Sequence, residues 1–114
     1  MAGLDLKVRG VTFDGRQEKL ERLYNYIKNG EKVVTELKPD PKNKFDKNAI
    51  KVIVNGFHIG FIQKKLAKQM KEKLNTGQYV YHAILSEITP GDEEIAWGAK
   101  IKLFRKKLKK WKEK

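Results

Sequence analysis

The chain has 114 residues, no cysteine and a formal net charge of +12 at pH 7. This length suits one domain with a core of its own, and the absence of cysteine excludes disulfides and thiolate-bound metal. Residues 100–114 hold eight Lys, one Arg and one Glu, for a net +8, which favours a polyanionic partner, nucleic acid above all, over lysines that only keep the protein soluble.

The first third of the chain predicts a strand followed by a helix. In LDLKVRGVTF the apolar positions change parity at Gly10, which predicts a strand with a bulge or sharp bend there. Phe13 then need not face the core. In DGRQEKLERLYNYIKNG the leucines and aromatics fall at helical spacing, Asp14 and Gln17 resemble a capping box, and Gly30 is a natural stop.

The rest of the chain predicts five more strands and a second helix. EKVVTEL is a short strand, after which Pro39 and Pro41 interrupt the sheet. NAIKVIVNGFHIGFI is a hairpin around Asn55-Gly56. QKKLAKQMKEKLNTG is a lysine-rich helix, and QYVYHAILSEI and EEIAWGAKIKLF are strands joined by TPGD. This order predicts an α+β domain: a small, curved, mainly antiparallel six-stranded OB-like β-barrel with two helices.

Enzyme chemistry is not visible in the sequence. His58 and His82 lie on separate predicted strands without ligand-spaced partners, and there is no phosphate-binding glycine loop, nucleophile elbow or Ser-His-Asp arrangement. We therefore expect a non-enzyme with no cofactor, no metal and no small-molecule substrate. The N-terminus lacks a signal peptide's apolar run and no segment has the length of a membrane span, which predicts a soluble cytoplasmic protein without a membrane partner.

Three segments, GVTF, DPKNKFDKNAIKV and IGFIQKKLA, resemble the HIRAN domain in their residues, order and spacing. We expect this domain to span residues 4–104, followed by a basic C-terminal tail, residues 105–114. The matching positions are Gly10, Phe13, Asp40, Pro41, Asn43, Phe45, Asp46, Ala49, Ile50, Val52, Gly60, Phe61 and Lys64.

The resemblance implies a DNA-binding module of OB-like shape. HIRAN domains occur at the front of SWI/SNF-type helicases that remodel stalled forks, and alone in small bacterial and phage proteins. Their best-understood members grip the 3′ end of single-stranded DNA. Carried over by position, Phe13 and Phe45 would stack on the terminal bases, Asp46 would contact the terminal hydroxyl, and Lys64 would contact a phosphate.

The chain departs from the family pattern at four positions. Both stacking positions are Phe where well-known members have Tyr, so the ring is kept and the phenol hydrogen bond is lost. Thr12 replaces an Arg that can contact phosphate, and Phe61 replaces a His that can do so. Lys64, Lys65 and the loop lysines are candidates to supply the missing phosphate contacts.

Each candidate residue also has a purely structural explanation. Phe45 is either a stacking platform or a plug that tucks into the core. Asp46 either accepts a hydrogen bond from a terminal hydroxyl or, like Asn43, caps its own loop. The favoured role of Asn43 is the structural one, and Trp97 is more typical of core than of a platform. Lys64 and Lys65 oppose the dipole of the second helix, which anion binding would explain, or they belong to a solvated lysine face. Taken alone, Phe13 is more typical of core than of a stacking platform.

We expect a non-catalytic module for single-stranded DNA ends, acting in DNA repair or replication with a helicase or nuclease in trans. One alternative is an RNA or general nucleic-acid binder without end preference, and another is a basic module for an acidic protein. At the end of the domain and in the tail, Phe104, Leu108 and Trp111 have helical spacing among lysines. The tail is either a helical extension or disordered. In function it is either a basic amphipathic helix that binds a membrane surface or a partner, or an electrostatic arm that binds nucleic acid.

Overall fold

The computed structural model describes residues 3–108. None of the helices in this part of the chain is long and apolar enough to cross a membrane. The elements in chain order are β1 (Leu4–Lys7), α1 (Arg16–Lys28), β2 (Thr35–Pro39), β3 (Ile50–Val54), β4 (Phe57–Phe61), α2 (Lys64–Asn75), β5 (Tyr79–Thr89) and β6 (Gly98–Lys107).

The six strands form two antiparallel sheets of three strands each. The long sheet has the order β1-β6-β5 and the short sheet the order β2-β3-β4. Thr35 of β2 links the two, because its hydroxyl oxygen accepts a hydrogen bond from the backbone N–H of Leu85 in β5 at 3.0 Å. The α+β class and the antiparallel pairing are confirmed. The barrel is not confirmed, since the strands of residues 3–108 form no closed hydrogen-bonded ring.

One apolar core lies between the sheets and the helices. The alternating positions of β3 point inward, and the apolar stripes of α1 and α2 close the core because their spacing of three and four residues puts them on one helix face. Burial of these side chains is the main stabilising term of the fold. The largest fully buried side chains are Leu20, Leu23, Ile50, Val52, Val54, Ile59, Met70 and Ile101.

Turn chemistry places the bends where the sequence predicts them. Asn55 and Gly56 both have positive φ angles, 49° and 84°, as the tight hairpin between β3 and β4 requires. The chain also bends at Gly10, with φ 70°, although β1 already ends at Lys7. Pro39 is the last residue of β2, an edge strand, where a missing N–H is tolerated.

The predicted capping box at α1 is wrong. The N-cap is Gly15, with φ 73° and no side-chain cap. Gln17 instead turns away from the helix: its amide nitrogen donates to the carbonyls of Val11 and Trp97, both at 2.9 Å, and its amide oxygen accepts the Trp97 N–H at 2.7 Å. The hydrogen-bonding groups of the Gln17 side chain are therefore satisfied by tertiary partners, and these bonds hold α1 against the segment that leads into β6.

The final strand begins and ends later than predicted. The Asp92 carboxylate accepts the N–H groups of Glu94 and Ile95 at 2.8 Å, which makes this segment a turn and leaves Ile95 exposed. β6 starts at Gly98 and continues to Lys107. The first three residues assigned to the tail therefore belong to a strand, and residues 109–114 lie outside the described residues.

Replacing Gln17 with Ala should lower the free energy of unfolding by about 1–3 kcal/mol, because three hydrogen bonds are lost and two carbonyls are left without this donor. Urea denaturation monitored by circular dichroism measures this change. Glu18→Ala, on the exposed neighbour in the same helical turn, is the matched control and should stay within about 0.5 kcal/mol. Equal effects of the two substitutions would contradict the proposed link.

Candidate nucleic-acid interface

The residues singled out in the sequence meet around an open groove of about 620 Å³. Three segments build it: the turn before α1, the loop between β2 and β3, and the junction of β4 with α2. Of the predicted site residues, all but Lys65 line it. The lining residues are Arg9, Gly10, Phe13, Asp14, Arg16, Asn43, Phe45, Asp46, Ala49, Phe61, Ile62 and Lys64.

Asn43 organises the loop between β2 and β3. Its side-chain oxygen accepts the backbone N–H groups of Phe45 and Asp46 at 2.9 and 3.0 Å. Its amide nitrogen donates to the carboxylate of Asp40 at 3.1 Å. Asn43 thus has the structural role favoured from the sequence, and its contacts fix the backbone on which Phe45 and Asp46 stand.

Both candidate stacking residues are strongly exposed. Phe45 is 92% exposed and Phe13 is 64% exposed, so the explanation of Phe45 as a core plug is wrong. Trp97 differs from both, because it packs against the core and meets Tyr24 edge-on at 5.3 Å. Exposed rings that line one groove offer π-faces to a ligand.

Asp46 contributes a carboxylate with free acceptor capacity. One oxygen accepts the backbone N–H of Asn48 at 2.9 Å, which is the loop-capping role. The other oxygen accepts no hydrogen bond from residues 3–108. The side chain is half-buried and lines the groove. Loop capping and ligand contact are therefore compatible, since each can use a different oxygen.

Arg16 is a groove residue that our sequence reasoning missed. Its side chain is buried, one terminal nitrogen donates to the carbonyl of Gly10 at 2.7 Å, and its guanidinium lies 5.0 Å from the centre of the Phe61 ring. The other terminal nitrogen is 3.3 Å from the Asp14 carboxylate. A cation at the first position of α1 opposes the helix dipole. The same signal drew attention to Lys64 and would have identified Arg16.

Further cations surround the groove. Arg9 was also missed and is exposed at the groove lining, whereas Thr12 is exposed but does not line it. Lys65 borders a second cavity of about 420 Å³ that shares Asp46 and Lys64 with the groove. The second cavity is lined by Asp46, Asn48, Gln63, Lys64, Lys65 and Lys68.

A family model described as HIRAN domain matches residues 4–103. The chain belongs to the HIRAN domain family. HIRAN domains are nucleic-acid-binding modules, which supports DNA binding in general for this chain. Searches of curated proteins and of solved structures returned no match. Within residues 3–108 no group of three or more His, Cys, Asp or Glu side chains is arranged to hold a metal ion.

Gly60 explains why the HIRAN pattern has a glycine before the aromatic of β4. The backbone groups of Arg9 and Phe61 exchange two hydrogen bonds, at 2.8 and 2.9 Å. A Cβ atom at Gly60 would collide with the Arg9 carbonyl and the Val8 side chain. Only glycine lets the segment before the groove approach β4 closely enough to form this bridge.

His58 supports Phe61 from the side. The two rings meet edge-on at 4.8 Å, and the Nε2 atom of His58 lies 3.0 Å from the carbonyl oxygen of Gly60. Burial lowers the pKa of His58 below its ordinary 6.5, and the nearby positive charge of Arg16 lowers it further. The neutral ring can donate to the carbonyl and is the form that the folded HIRAN domain favours.

The stability of this HIRAN domain should therefore fall as the pH drops below the unfolded pKa of His58, about 6.5. Below that pH the unfolded chain takes up a proton that the folded chain resists, so stability is complete above about 6.5 and declines towards the lower folded pKa. Urea denaturation between about pH 7.5 and 5 measures the decline. His58→Gln keeps a hydrogen-bond donor without this titration and should flatten it. Equal slopes for wild type and variant would contradict this assignment.

Proposed function

We propose that this HIRAN domain is a non-catalytic module that binds the 3′-hydroxyl end of single-stranded DNA in the groove. The observation that carries the proposal is the pairing of a 92%-exposed aromatic, Phe45, with a carboxylate, Asp46, at adjacent positions of a loop in a chain of charge +12. A carboxylate weakens general binding to a polyanion through repulsion. Its presence is accounted for by a ligand that offers a neutral hydroxyl group at this point.

The aromatics supply sequence-independent affinity. Each base stacked on an exposed ring contributes about 1–3 kcal/mol, and every base has a face that can stack. Phe13 and Phe45 line the same groove, so two terminal bases can each meet a ring. The bases of a duplex stack on one another and are not free to stack on these rings, so the groove favours single strands.

Asp46 supplies the preference for ends. A terminal 3′-hydroxyl can donate to the carboxylate oxygen that no loop N–H occupies, whereas an internal nucleotide has a phosphate at that position. The nearby cations Arg9, Arg16 and Lys64 line the same groove and can hold the phosphates that precede the terminal nucleotide. Lys65 extends this positive lining into the adjoining cavity.

Binding of strand ends without catalysis suits a role in DNA repair or replication. The groove offers stacking surfaces and charges, and we assign none of its residues a catalytic task. A helicase or nuclease acting in trans would perform the chemistry at the bound end. The rival functions are general RNA or DNA binding without end preference, and docking of an acidic protein on the lysines.

Asp46 substitutions should separate hydroxyl recognition from general charge. Wild type should prefer a 3′-hydroxyl strand over the same strand with a 3′-phosphate. Asp46→Asn keeps an acceptor for the Asn48 N–H and removes the repulsion of a terminal phosphate. It should therefore narrow that preference, mostly by raising the affinity for the phosphate-ended strand. Asp46→Ala should weaken hydroxyl-end binding by about 1–3 kcal/mol. The measurement is an anisotropy competition with matched oligonucleotides.

Asp14→Asn is the matched control for these substitutions. Asp14 lines the same groove, but its carboxylate is paired with Arg16. Losing this charge should raise the affinity for the hydroxyl-ended and the phosphate-ended strand by a similar factor, so the ratio of the two affinities should stay unchanged. If wild type binds hydroxyl-ended, phosphate-ended and circular strands alike, or if Asp14→Asn changes the ratio as much as Asp46→Asn, then Asp46 only caps the loop.

Phe45→Ala should weaken single-strand binding by about 1–3 kcal/mol, the stacking energy of one base. The melting temperature should stay unchanged, because the side chain is almost fully exposed. Tyr26→Ala is the control: Tyr26 is an exposed aromatic on α1 that does not line the groove. A large loss of melting temperature with little loss of binding would show that Phe45 serves the fold rather than the ligand.

A further inference from the structure

The long sheet has a solvent-facing side, here called the outer face, that lies opposite the core. Directly paired residues of antiparallel strands point to the same face, and the register pairs Val80 with Lys106, His82 with Phe104, and Ile84 with Lys102. The alternate residues Ala83, Ile101 and Leu103 are buried in the core. The outer face consists of Asp5 and Lys7 of β1, Val80, His82, Ile84 and Glu87 of β5, and Lys100, Lys102, Phe104 and Lys106 of β6.

The outer-face residues of β5 form an apolar row. Ile84 is 57% exposed and Val80 is 37% exposed. Between them, the His82 ring lies 5.7 Å from the Phe104 ring, with only 30° between the two planes. Val80, His82 and Ile84 are all exposed, whereas Phe104 is half-buried and its ring lies beside Gly3. Two adjacent tilted rings flanked by exposed branched side chains resemble the stacking surfaces that sheets offer to unpaired bases.

The outer-face residues of β6 form a cationic row. Lys100, Lys102 and Lys106 occupy alternate positions, so the row extends for about 20 Å at the rise of an antiparallel strand. Lys7 lies directly opposite Lys100, and such like-charged pairs are unfavourable without an anion between them. The acids Glu87 and Asp5 lie 3.8 Å from Lys100 and Lys102 in exposed ion pairs, which are weak.

We propose that the outer face is a second nucleic-acid surface, which takes an internal segment of a single strand. Bases lie over the apolar row of β5 and phosphates follow the lysines of β6. Neighbouring strands are about 4.8 Å apart, so the two rows lie side by side, as the bases and backbone of one strand do. An acidic protein would explain the lysines but not the adjacent His82 and Phe104 rings beside them.

The outer face is linked to the groove by cations along β1 and the residues after it. Lys7 belongs to the outer face, and Arg9, two positions further along the chain, lines the groove. Two residues of extended chain span about 7 Å. A strand bound on the outer face therefore meets positive charge on its way to the groove. The outer face binds internal segments, so its role does not depend on recognition of a 3′ end.

The test compares two probes on the full chain. A four-site variant, His82→Thr, Ile84→Thr, Lys102→Gln and Lys106→Gln, replaces two residues of each row at positions that tolerate polar residues in a strand. A circular single strand has no ends and therefore reports binding of internal segments, whereas a 3′-hydroxyl trinucleotide should bind mainly through its end in the groove. We expect the variant to bind the circular strand about tenfold more weakly and the trinucleotide within about twofold of wild type, with circular dichroism unchanged.

The matched control removes the same number of exposed cations and apolar side chains elsewhere: Arg22→Gln, Tyr26→Thr, Lys32→Gln and Val34→Thr. Its affinity for the circular strand should stay within about threefold of wild type, which is the loss expected from the change in net charge alone. Equal losses in the two variants would overturn the proposal. So would a two-site variant, His82→Thr and Ile84→Thr, that binds the circular strand like wild type, because the lysines would then act without a base-stacking row.

This outcome is separable from that of the proposed function. If wild type shows no preference for 3′-hydroxyl ends, the groove's assignment fails while the circular-strand comparison still stands. If the four-site variant binds circular strands normally and an acidic polypeptide poorly, the outer face is a protein-docking surface and our inference is wrong.

Discussion

The groove depends on the two backbone hydrogen bonds that Arg9 and Phe61 exchange. These bonds hold the segment after β1 against β4, and so they join the long sheet to the short sheet at the groove. They exist because Gly60 has no side chain to keep the strands apart. The turn at Gly10, the guanidinium of Arg16 and the ring of Phe61 all take their positions from this contact. A methyl group at Gly60 would therefore affect the ligand surface as well as the fold.

The groove combines opposite charges in a way that general polyanion binding does not require. Arg9, Arg16 and Lys64 line it together with Asp14 and Asp46. Asp14 is paired with Arg16, whereas Asp46 forms no ion pair with residues 3–108. On the outer face, by contrast, the acids Asp5 and Glu87 lie 3.8 Å from Lys102 and Lys100 in exposed, weak ion pairs. In the proposed function, Asp46 would select the end of the strand, and the lysines outside the groove would supply affinity that does not depend on ends.

Local patterns predicted the parts of the fold that local chemistry controls. The Asn55-Gly56 hairpin, the two helix stripes and the antiparallel strands follow from turn residues and periodicity. The loop segment and the start of α2 also meet as the family motif implied. The contact partners of Gln17 and Arg16 could not be read in this way, because Trp97, Gly10 and Phe61 come next to these side chains only after the chain has folded.

The misplaced boundaries have the same origin. The alternation of Ile95 and Trp97 continues the apolar pattern of β6. The Asp92 carboxylate nevertheless accepts the N–H groups of Glu94 and Ile95, so this segment forms a turn. At the other end, a run of basic residues gives no apolar signal, and pairing with β5 extends the strand to Lys107. The division of the strands into two sheets depends on which edges pair, and alternation alone does not specify the partner of an edge.

Asn43 has a consequence for the timing of recognition. By accepting the N–H groups of Phe45 and Asp46 and donating to Asp40, it holds the loop in shape without any ligand. If a strand binds here as proposed, the loop would lose little conformational entropy, and the encounter would not wait for a rearrangement. Correct and incorrect ends would then enter the groove at similar rates. The two kinds of end would then differ mainly in their dissociation rates, so a preformed loop would place selection in the lifetime of the complex.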